Sequence, residues 1–113
     1  MASKTVRRGE VYRVNLEPTQ GSEQQGRARP CVIISITPFN NQFRTAGVVP
    51  LSSSARAHEP VAVGVASAGE NSVALCYQLR TVDKSRLIKR LGELSASDML
   101  AIEAGVKQVY GLN

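Results

Sequence analysis

The sequence has a single histidine, two cysteines and no tryptophan among its 113 residues. With His58 alone, one chain cannot supply a pair of histidines to act as acid and base. Cys31 and Cys76 lie in separate apolar runs, which excludes a zinc-type Cys/His cluster and predicts buried, reduced thiols. Three tyrosines and two phenylalanines are too few for an RNA-binding platform of stacked rings.

Several motifs that hold cofactors are also absent. The sequence contains no H-E-x-x-H pair, no clustered Asp motif, no Walker loop and no G-x-S-x-G turn. We therefore expect neither a dedicated metal site nor a cofactor. The basic start of the chain is not followed by an apolar stretch, so the sequence predicts no signal peptide, no membrane span and a cytoplasmic protein.

Positive charge is what the composition has in excess. Fourteen Lys and Arg residues face nine Asp and Glu, which leaves a net charge of +5. This balance favours a polyanion or an acidic protein as partner, although a merely solubilising surface would give the same count. The apolar fraction of 42% predicts a folded chain, with a flexible basic tail over residues 1–8 and a single domain over residues 9–113.

The apolar residues are spaced mainly as in β-strands. Alternation over Gly9–Leu16 predicts a strand with one wet face, and the continuous run Cys31–Ile36 predicts a buried one. The Gly, Pro and polar residues of the segment 17–28 predict a long loop. Loops of this length in compact domains are usually functional or disordered. Further strands are predicted over residues 46–51, 60–66, 72–79 and 87–94. Pro50 predicts a strand end or an edge.

The clearest helix begins at Ser95, with Asp98 three residues later as in a capping box. Apolar residues then follow at helical spacing: Met99, Ile102, Val106 and Val109. Gly111 lies just beyond, as is typical of a helix end. A turn or short helix is predicted over Pro38–Arg44. Together, short strands and one terminal helix indicate a compact β-barrel with helices.

The side chains left for chemistry are Arg, Glu, Ser, Thr, Gln and Tyr, which suit phosphate. An Arg fork binds phosphate oxygens in bidentate fashion and stabilises negative charge as it develops. RNA brings its own nucleophile, the 2′-hydroxyl. An enzyme that cuts RNA in this way needs only to orient that group, move a proton and stabilise the charged phosphorane.

Five short motifs occur in order along the chain. They are RGEVY (8–12) leading into LEPT (16–19), GSEQQGRARP (21–30), VVPLSS (48–53), QLRTVDK (78–84) and LGELS (91–95). In this order and spacing, the set resembles the MazF/PemK/Kid family of toxin–antitoxin endoribonucleases. The resemblance covers nearly the whole chain, from about Arg8 to Leu112.

The resemblance implies a mainly β fold with a C-terminal α-helix, the small SH3-like, PemK-like barrel of that family. It implies a homodimer that cleaves single-stranded RNA at short sequences without metal. The products would carry a 2′,3′-cyclic phosphate and a 5′-hydroxyl. A cognate antitoxin with an acidic disordered tail would occupy the RNA groove, and both ligands agree with the positive net charge.

Site residues follow from the resemblance position by position. Arg29 matches the family's catalytic arginine, Ser52 its catalytic Thr or Ser, and Glu23 lies in the matching loop segment. The expected RNA contacts are Ser22, Gln24, Arg27, Ser53, Tyr77, Gln78 and Arg80. Arg80 is expected to contact a phosphate, and Asp83 could equally be a structural partner that orients Arg80.

Two departures from the family pattern concern the proton acceptor and the loop. Some relatives have a carboxylate just before the Gln of the QxRT motif, where this chain has Leu75 and Tyr77. The general base is therefore unassigned. The loop also has one extra residue, with Arg27 close before Arg29.

Two other functions remain open at this point. One is a toxin of the same fold that poisons a protein target, like the gyrase poison CcdB. The other is an RNA-binding domain whose nuclease activity has decayed. Retention of Arg29 and Ser52 argues against the first, and the missing carboxylate keeps the second open.

Overall fold

A computed structural model describes residues 5–17 and 28–113 of the chain. The expected loop residues Ser22, Glu23, Gln24 and Arg27 lie outside the described residues. The strands of this part are β1 (Glu10–Asn15), β2 (Ala28–Ile33), β3 (Thr45–Ser52), β4 (Ala62–Gly64), β5 (Val73–Leu75), β6 (Arg80–Asp83) and β7 (Leu87–Glu93). The helices are α1 (Thr37–Gln42) and α2 (Ala96–Tyr110), with 3₁₀ turns at Ala66–Ala68, Cys76–Gln78 and Lys84–Arg86.

The strands form one antiparallel sheet in the order β4-β5-β3-β2-β1-β7, with β6 also paired to β3. The expectation of a mainly β fold with a C-terminal helix is confirmed. Among the described strands the ladder runs from β4 to β7 without closing, so the predicted barrel is an open one.

Strands β2 and β3 separate two clusters of apolar side chains, whereas the second face of β1 carries Val11 and then the exposed Arg13 and Asn15. The first core cluster includes Val32 and Val49 and is covered by Met99 and Ile102 of α2. The second core cluster lies on the other face. Its members are Val6, Tyr12, Val14, Leu16, Cys31, Ile33, Val48, Val82 and Leu87. Successive residues of β2 and of β3 therefore alternate between the two clusters.

Helix α2 has the ends that the sequence predicts. The Ser95 hydroxyl accepts a hydrogen bond from the Asp98 amide at 3.1 Å, and Gly111 takes a left-handed conformation with φ of 65°. Met99 and Ile102 are buried, so the apolar stripe of the helix is core packing as expected.

The chain between β4 and β7 differs from the sequence prediction. The strand expected over residues 72–79 ends at Leu75, because Cys76–Gln78 forms a 3₁₀ turn that packs Cys76 against α2. The strand expected over residues 60–66 shortens to β4, and β6 was not predicted.

Pro50 lies inside β3 and not at an edge or a strand end, so that prediction is wrong. β3 pairs with β6 up to Val48 and with β5 from Leu51 onward. Pro50 occupies the changeover between these two neighbours, where the amide donor that proline lacks is least needed.

The residues next to β1 are packed, although the sequence placed them in a loose tail. Val6 is fully buried in the second core cluster. Arg8 donates from Nε to the Ile34 carbonyl at 3.0 Å and pairs with Glu103 of α2 at 2.6 Å. Residues 1–4 lie outside the described part of the chain.

The buried carboxylate of Glu10 links β1 to β7. It accepts hydrogen bonds from the Arg7 amide at 2.7 Å and from Arg90 Nε at 2.6 Å. Burial raises the pKa of Glu10, but these hydrogen bonds lower it by more. The net pKa of Glu10 therefore lies below its ordinary value. The two strands are thus joined by a charged contact as well as by their ladder.

Gly105 sets how closely α2 approaches the sheet, and its replacement tests this packing. A Cβ there would lie 2.4 Å from the Pro60 carbonyl oxygen and 2.6 Å from Cys76 Sγ. We expect Gly105→Ala to lower the free energy of unfolding by about 1–3 kcal/mol, although alanine favours an isolated helix by about 1 kcal/mol. Gly64→Ala is the matched control, because a Cβ at Gly64 meets nothing within 4 Å. Urea denaturation measures both variants, and equal stability of Gly105→Ala and wild type would contradict the close approach.

Candidate active site

The candidate site lies where β2 and β3 part, a place that we call the cleft. The ladder between the two strands ends with Cys31 opposite Pro50, and from Leu51 onward β3 pairs with β5 instead. Pro30 and Pro50 both lack the amide donor that a longer ladder would use. The first residues of β2 and the last residue of β3 therefore lie on either side of the point where the ladder ends.

Arg29 lies on the β2 side of this cleft. It is half-buried and stands opposite Val14 of β1. Strand alternation puts its side chain on the same face as Cys31 and Ile33, which belong to the second core cluster. Arg29 therefore shares a face with the apolar side chains of this cluster.

Ser52 is the last residue of β3 and lies on the other side. Continuing the β2–β3 register by two residues sets it opposite Arg29. Its side chain is buried, and its hydroxyl oxygen accepts hydrogen bonds from the amides of Ser54 at 3.2 Å and Ala55 at 3.1 Å. A hydroxyl has two acceptor lone pairs and one proton. The Ser52 hydroxyl also lies 3.3 Å from the Ser54 hydroxyl, and either of the two could donate to the other.

Arg80 of β6 lies on the same face of the sheet as Arg29 and Ser52. It pairs with Val48, and its Nη1 donates to the Leu16 carbonyl at 3.3 Å. Burial raises the pKa of the nearby Cys31 thiol to about 12, and the charge of Arg80 partly opposes this rise. The Cys31 thiol under the cleft is therefore unreactive, as the sequence predicts for a buried cysteine.

Asp83 does not orient Arg80. Its carboxylate accepts a hydrogen bond from the Ser85 amide at 2.8 Å and so caps the 3₁₀ turn Lys84–Arg86. This bonding lowers the pKa of Asp83. The expected structural pair of Arg80 and Asp83 is therefore wrong, and Asp83 serves the fold through its bond to Ser85.

The other predicted contacts that the structure describes lie on or near the surface. Ser53 is exposed in the turn after β3. Tyr77 and Gln78 belong to the 3₁₀ turn before β6, where Tyr77 is exposed and Gln78 half-buried. Leu75 is buried among apolar neighbours, so neither it nor Tyr77 brings a carboxylate to the cleft.

Arg86 is a residue beside the site that the sequence does not predict. Its Nη1 donates to the carbonyl oxygens of Asn15, at 3.1 Å, and of Glu17. The polar stretch Asp83–Arg86 has no apolar periodicity, so the sequence carries no signal for the turn that presents this side chain.

Neither a metal-binding group nor a membrane-spanning helix occurs in the described residues. Across residues 5–17 and 28–113, no three His, Cys, Asp or Glu side chains are grouped closely enough to hold a metal ion. Neither helix in this part of the chain has the length and apolar character needed to cross a membrane.

Known proteins match the chain over nearly its whole length. The chain is 37% identical to an endoribonuclease MazF of Staphylococcus epidermidis, over 96% of this chain and 93% of that protein. Its fold is similar to a crystal structure of MazF from Deinococcus radiodurans, with a TM-score of 0.85, 25% identity and coverage of 97% and 100% of the two chains.

A second structural relative was solved with a bound partner. It is an endoribonuclease in complex with its cognate antitoxin from a mycobacterial species, with a TM-score of 0.77, 22% identity and 98% coverage of both chains. A family model described as a PemK-like, MazF-like toxin of type II toxin-antitoxin systems matches residues 7–110. This chain, with Arg29 and Ser52 on the two sides of its cleft, belongs to that family of PemK-like and MazF-like toxins.

Proposed function

We propose that this toxin is a metal-independent, sequence-specific endoribonuclease that cuts single-stranded RNA at the cleft between β2 and β3. The observation that carries the proposal is the arrangement of Arg29, Ser52 and Arg80 on one face of the sheet, at one end of the second core cluster. Guanidinium and hydroxyl groups are donors suited to a phosphate that gains negative charge.

In the proposed reaction the 2′-oxygen of the RNA attacks the adjacent phosphorus and the bond to the 5′-oxygen breaks. The 2′-hydroxyl loses its proton, and the leaving 5′-oxygen gains one. The products are a 2′,3′-cyclic phosphate and a 5′-hydroxyl. No bond to the protein and no change of oxidation state is needed, so the residues act on charge, position and protons only.

Each residue has a role that fits its bonding. Arg29 stabilises the charge of the phosphorane, since a guanidinium group stays protonated in proteins and is poorly suited to proton transfer. Ser52 donates its proton to a phosphate oxygen in exchange for its contact with the Ser54 hydroxyl, while its own oxygen accepts from two backbone amides. Arg80 adds positive charge while one of its N–H groups holds the Leu16 carbonyl.

The remaining predicted residues complete the proposal. Glu23 is a further catalytic residue, and Ser22, Gln24 and Arg27 contact the RNA from the same segment. Ser53, Tyr77 and Gln78 contact it from the turns beside the cleft. The acidic, disordered tail of a cognate antitoxin competes for this positive site, and both proteins are cytoplasmic. The net charge of +5 supports both acidic ligands.

The proposed homodimer has a suitable surface next to the cleft. An open groove of about 610 Å³ is lined by Ile36, Phe39 and Tyr110 together with Leu79 and Arg80. Exposed apolar side chains of this size in one groove are typical of an interaction surface. Because Arg80 and its neighbours also line it, a second copy seated here lies beside the RNA site.

Loss of the Arg29 guanidinium tests the central claim. We expect Arg29→Ala to raise the barrier to RNA cleavage by roughly 2.5–4 kcal/mol, the effect of removing one key oxyanion donor. The measurement is cleavage of a long single-stranded RNA with and without EDTA, followed by mapping of the new ends.

Arg13→Ala is the matched control. Arg13 is an exposed arginine of β1. It stands opposite Pro30, the residue that follows Arg29, so its side chain lies on the other face of the sheet from that of Arg29. Its loss removes the same charge and is expected to leave the cleavage rate nearly unchanged. Failure of the wild-type protein to cut RNA would argue for the CcdB-like or decayed alternatives, and loss of cutting in EDTA would exclude the metal-free mechanism.

Ser52 is tested by comparing alanine with threonine. We expect Ser52→Ala to slow cleavage at least about tenfold, since it removes a donor to the phosphate, and to cost about 1 kcal/mol of stability through the turn amides it leaves. Ser52→Thr keeps the hydroxyl, so it is expected to restore most of the rate. Single-turnover kinetics and urea denaturation separate the two effects, and equal rates for both variants would exclude the hydroxyl from the reaction.

The oligomeric state tests the apolar groove. We expect wild type to sediment at twice the 12.1 kDa mass of the chain, and the double variant Ile36→Asp, Phe39→Asp to sediment as one chain, because buried charge opposes association. Leu100→Asp is the control, since Leu100 is 64% exposed but does not line the groove. A dimer that survives the double variant would place the interface elsewhere.

A further inference from the structure

Three consecutive backbone carbonyls at the end of β1 accept hydrogen bonds from two arginines. Arg86 Nη1 donates to Asn15 O at 3.1 Å and to Glu17 O, while Arg80 Nη1 donates to Leu16 O at 3.3 Å. Both donors belong to side chains far along the sequence, in or after β6. Charged donors make stronger hydrogen bonds than neutral ones, so this end of β1 is held more firmly than by backbone bonds alone.

The end of β1 in turn holds the start of β2. Asn15 stands opposite Ala28 and Val14 opposite Arg29 in the β1–β2 ladder. On its other side, β2 loses its ladder to β3 beyond Cys31. The strand pairing described for Arg29 is with Val14 of β1, the strand whose end Arg86 fastens.

The turn that carries Arg86 is itself fixed. Asp83 caps it through the Ser85 amide. The amine of the buried Lys84 donates to the Asn40 carbonyl at 2.6 Å, and the Lys84 amide donates to the Arg44 carbonyl at 2.7 Å. The backbone of Arg86 is therefore fixed by the hydrogen bonds of its turn. Its guanidinium can thus restrain the carbonyls at the end of β1.

We propose that Arg86 is a positioning residue of the active site, which keeps Arg29 in register by fastening the carbonyls of Asn15 and Glu17. The inference rests on the proposed nuclease function. Arg86 itself need not touch RNA. A catalytic group displaced by about 1 Å can lose roughly a hundredfold in rate without any change in substrate binding.

The test combines kinetics with amide hydrogen exchange on the full chain. We expect Arg86→Ala to lower kcat for a short single-stranded RNA roughly tenfold to a hundredfold, with KM nearly unchanged. Exchange is expected to become faster at the amides of Val14–Leu16 and Ala28–Arg29, and to stay at the wild-type rate in β3 and α2. Arg86→Lys keeps a charged donor and is expected to recover part of both effects.

Lys89→Ala is the matched control for charge, because Lys89 is an exposed cation three residues further along. It is expected to leave kcat and exchange as in wild type. The inference is overturned if Arg86→Ala keeps the wild-type kcat, if its main effect is on KM as for a direct RNA contact, or if exchange rises throughout the sheet.

The two proposals fail in different ways. A wild-type protein that does not cut RNA removes the nuclease function and with it any catalytic role of Arg86. If wild type cuts RNA and the exchange pattern of Arg86→Ala is unchanged, the nuclease stands and the positioning role is excluded.

Discussion

The change of neighbour along β3 is the constraint on which the rest of the structure depends. The first half of this strand completes the second core cluster with β6, and its last residues leave to pair with β5. Pro50 lies between the residues that pair with β6 and those that pair with β5. The ladder with β2 ends at the same residue, so the cleft beside Arg29 and Ser52 is a consequence of how the core is built.

Arginine carries out three tasks around this cleft, and each uses a different property of the guanidinium group. At Arg29 it is the lasting positive charge, on a face shared with apolar side chains. Arg80 divides its N–H donors between a backbone carbonyl and the site. Arg86 uses one nitrogen to hold two carbonyls. Five N–H donors in a fixed plane allow one guanidinium group to bind several acceptors at once. A lysine ammonium would bind them less specifically.

The sequence predicted those parts of the fold that depend on local patterns. Alternation identified β1, and the capping residues Ser95 and Gly111 marked the ends of α2. The apolar run located β2 only in part, since the predicted strand Cys31–Ile36 overlaps Ala28–Ile33 by three residues. The sequence did not predict β6 or the turn before it, because these residues take their conformation from packing against α2 and β3. It also misjudged Pro50, since the consequence of a missing donor depends on which strands lie alongside.

For the site, motif resemblance identified Arg29, Ser52 and Arg80, which the topology brings to one end of a core cluster. It could not reveal how they are held. The bonds from Arg86 to Asn15 and Glu17 join backbone carbonyls, and carbonyls are the same at every residue, so no pattern of side chains reports them. The capping role of Asp83 is invisible for the same reason, because its partner is an amide.

The contacts of β1 with β7 and of Arg8 with α2 have a consequence for the synthesis of the protein. β1 pairs with β7, Glu10 bonds to Arg90, and Arg8 reaches Glu103 in the last helix. A growing polypeptide on the ribosome lacks each of these partners until the corresponding residue has been synthesised. The contacts that order the first strand are among the most distant in sequence, and contacts of this kind slow folding. The first strand therefore cannot complete its contacts before β7 and α2 have been made.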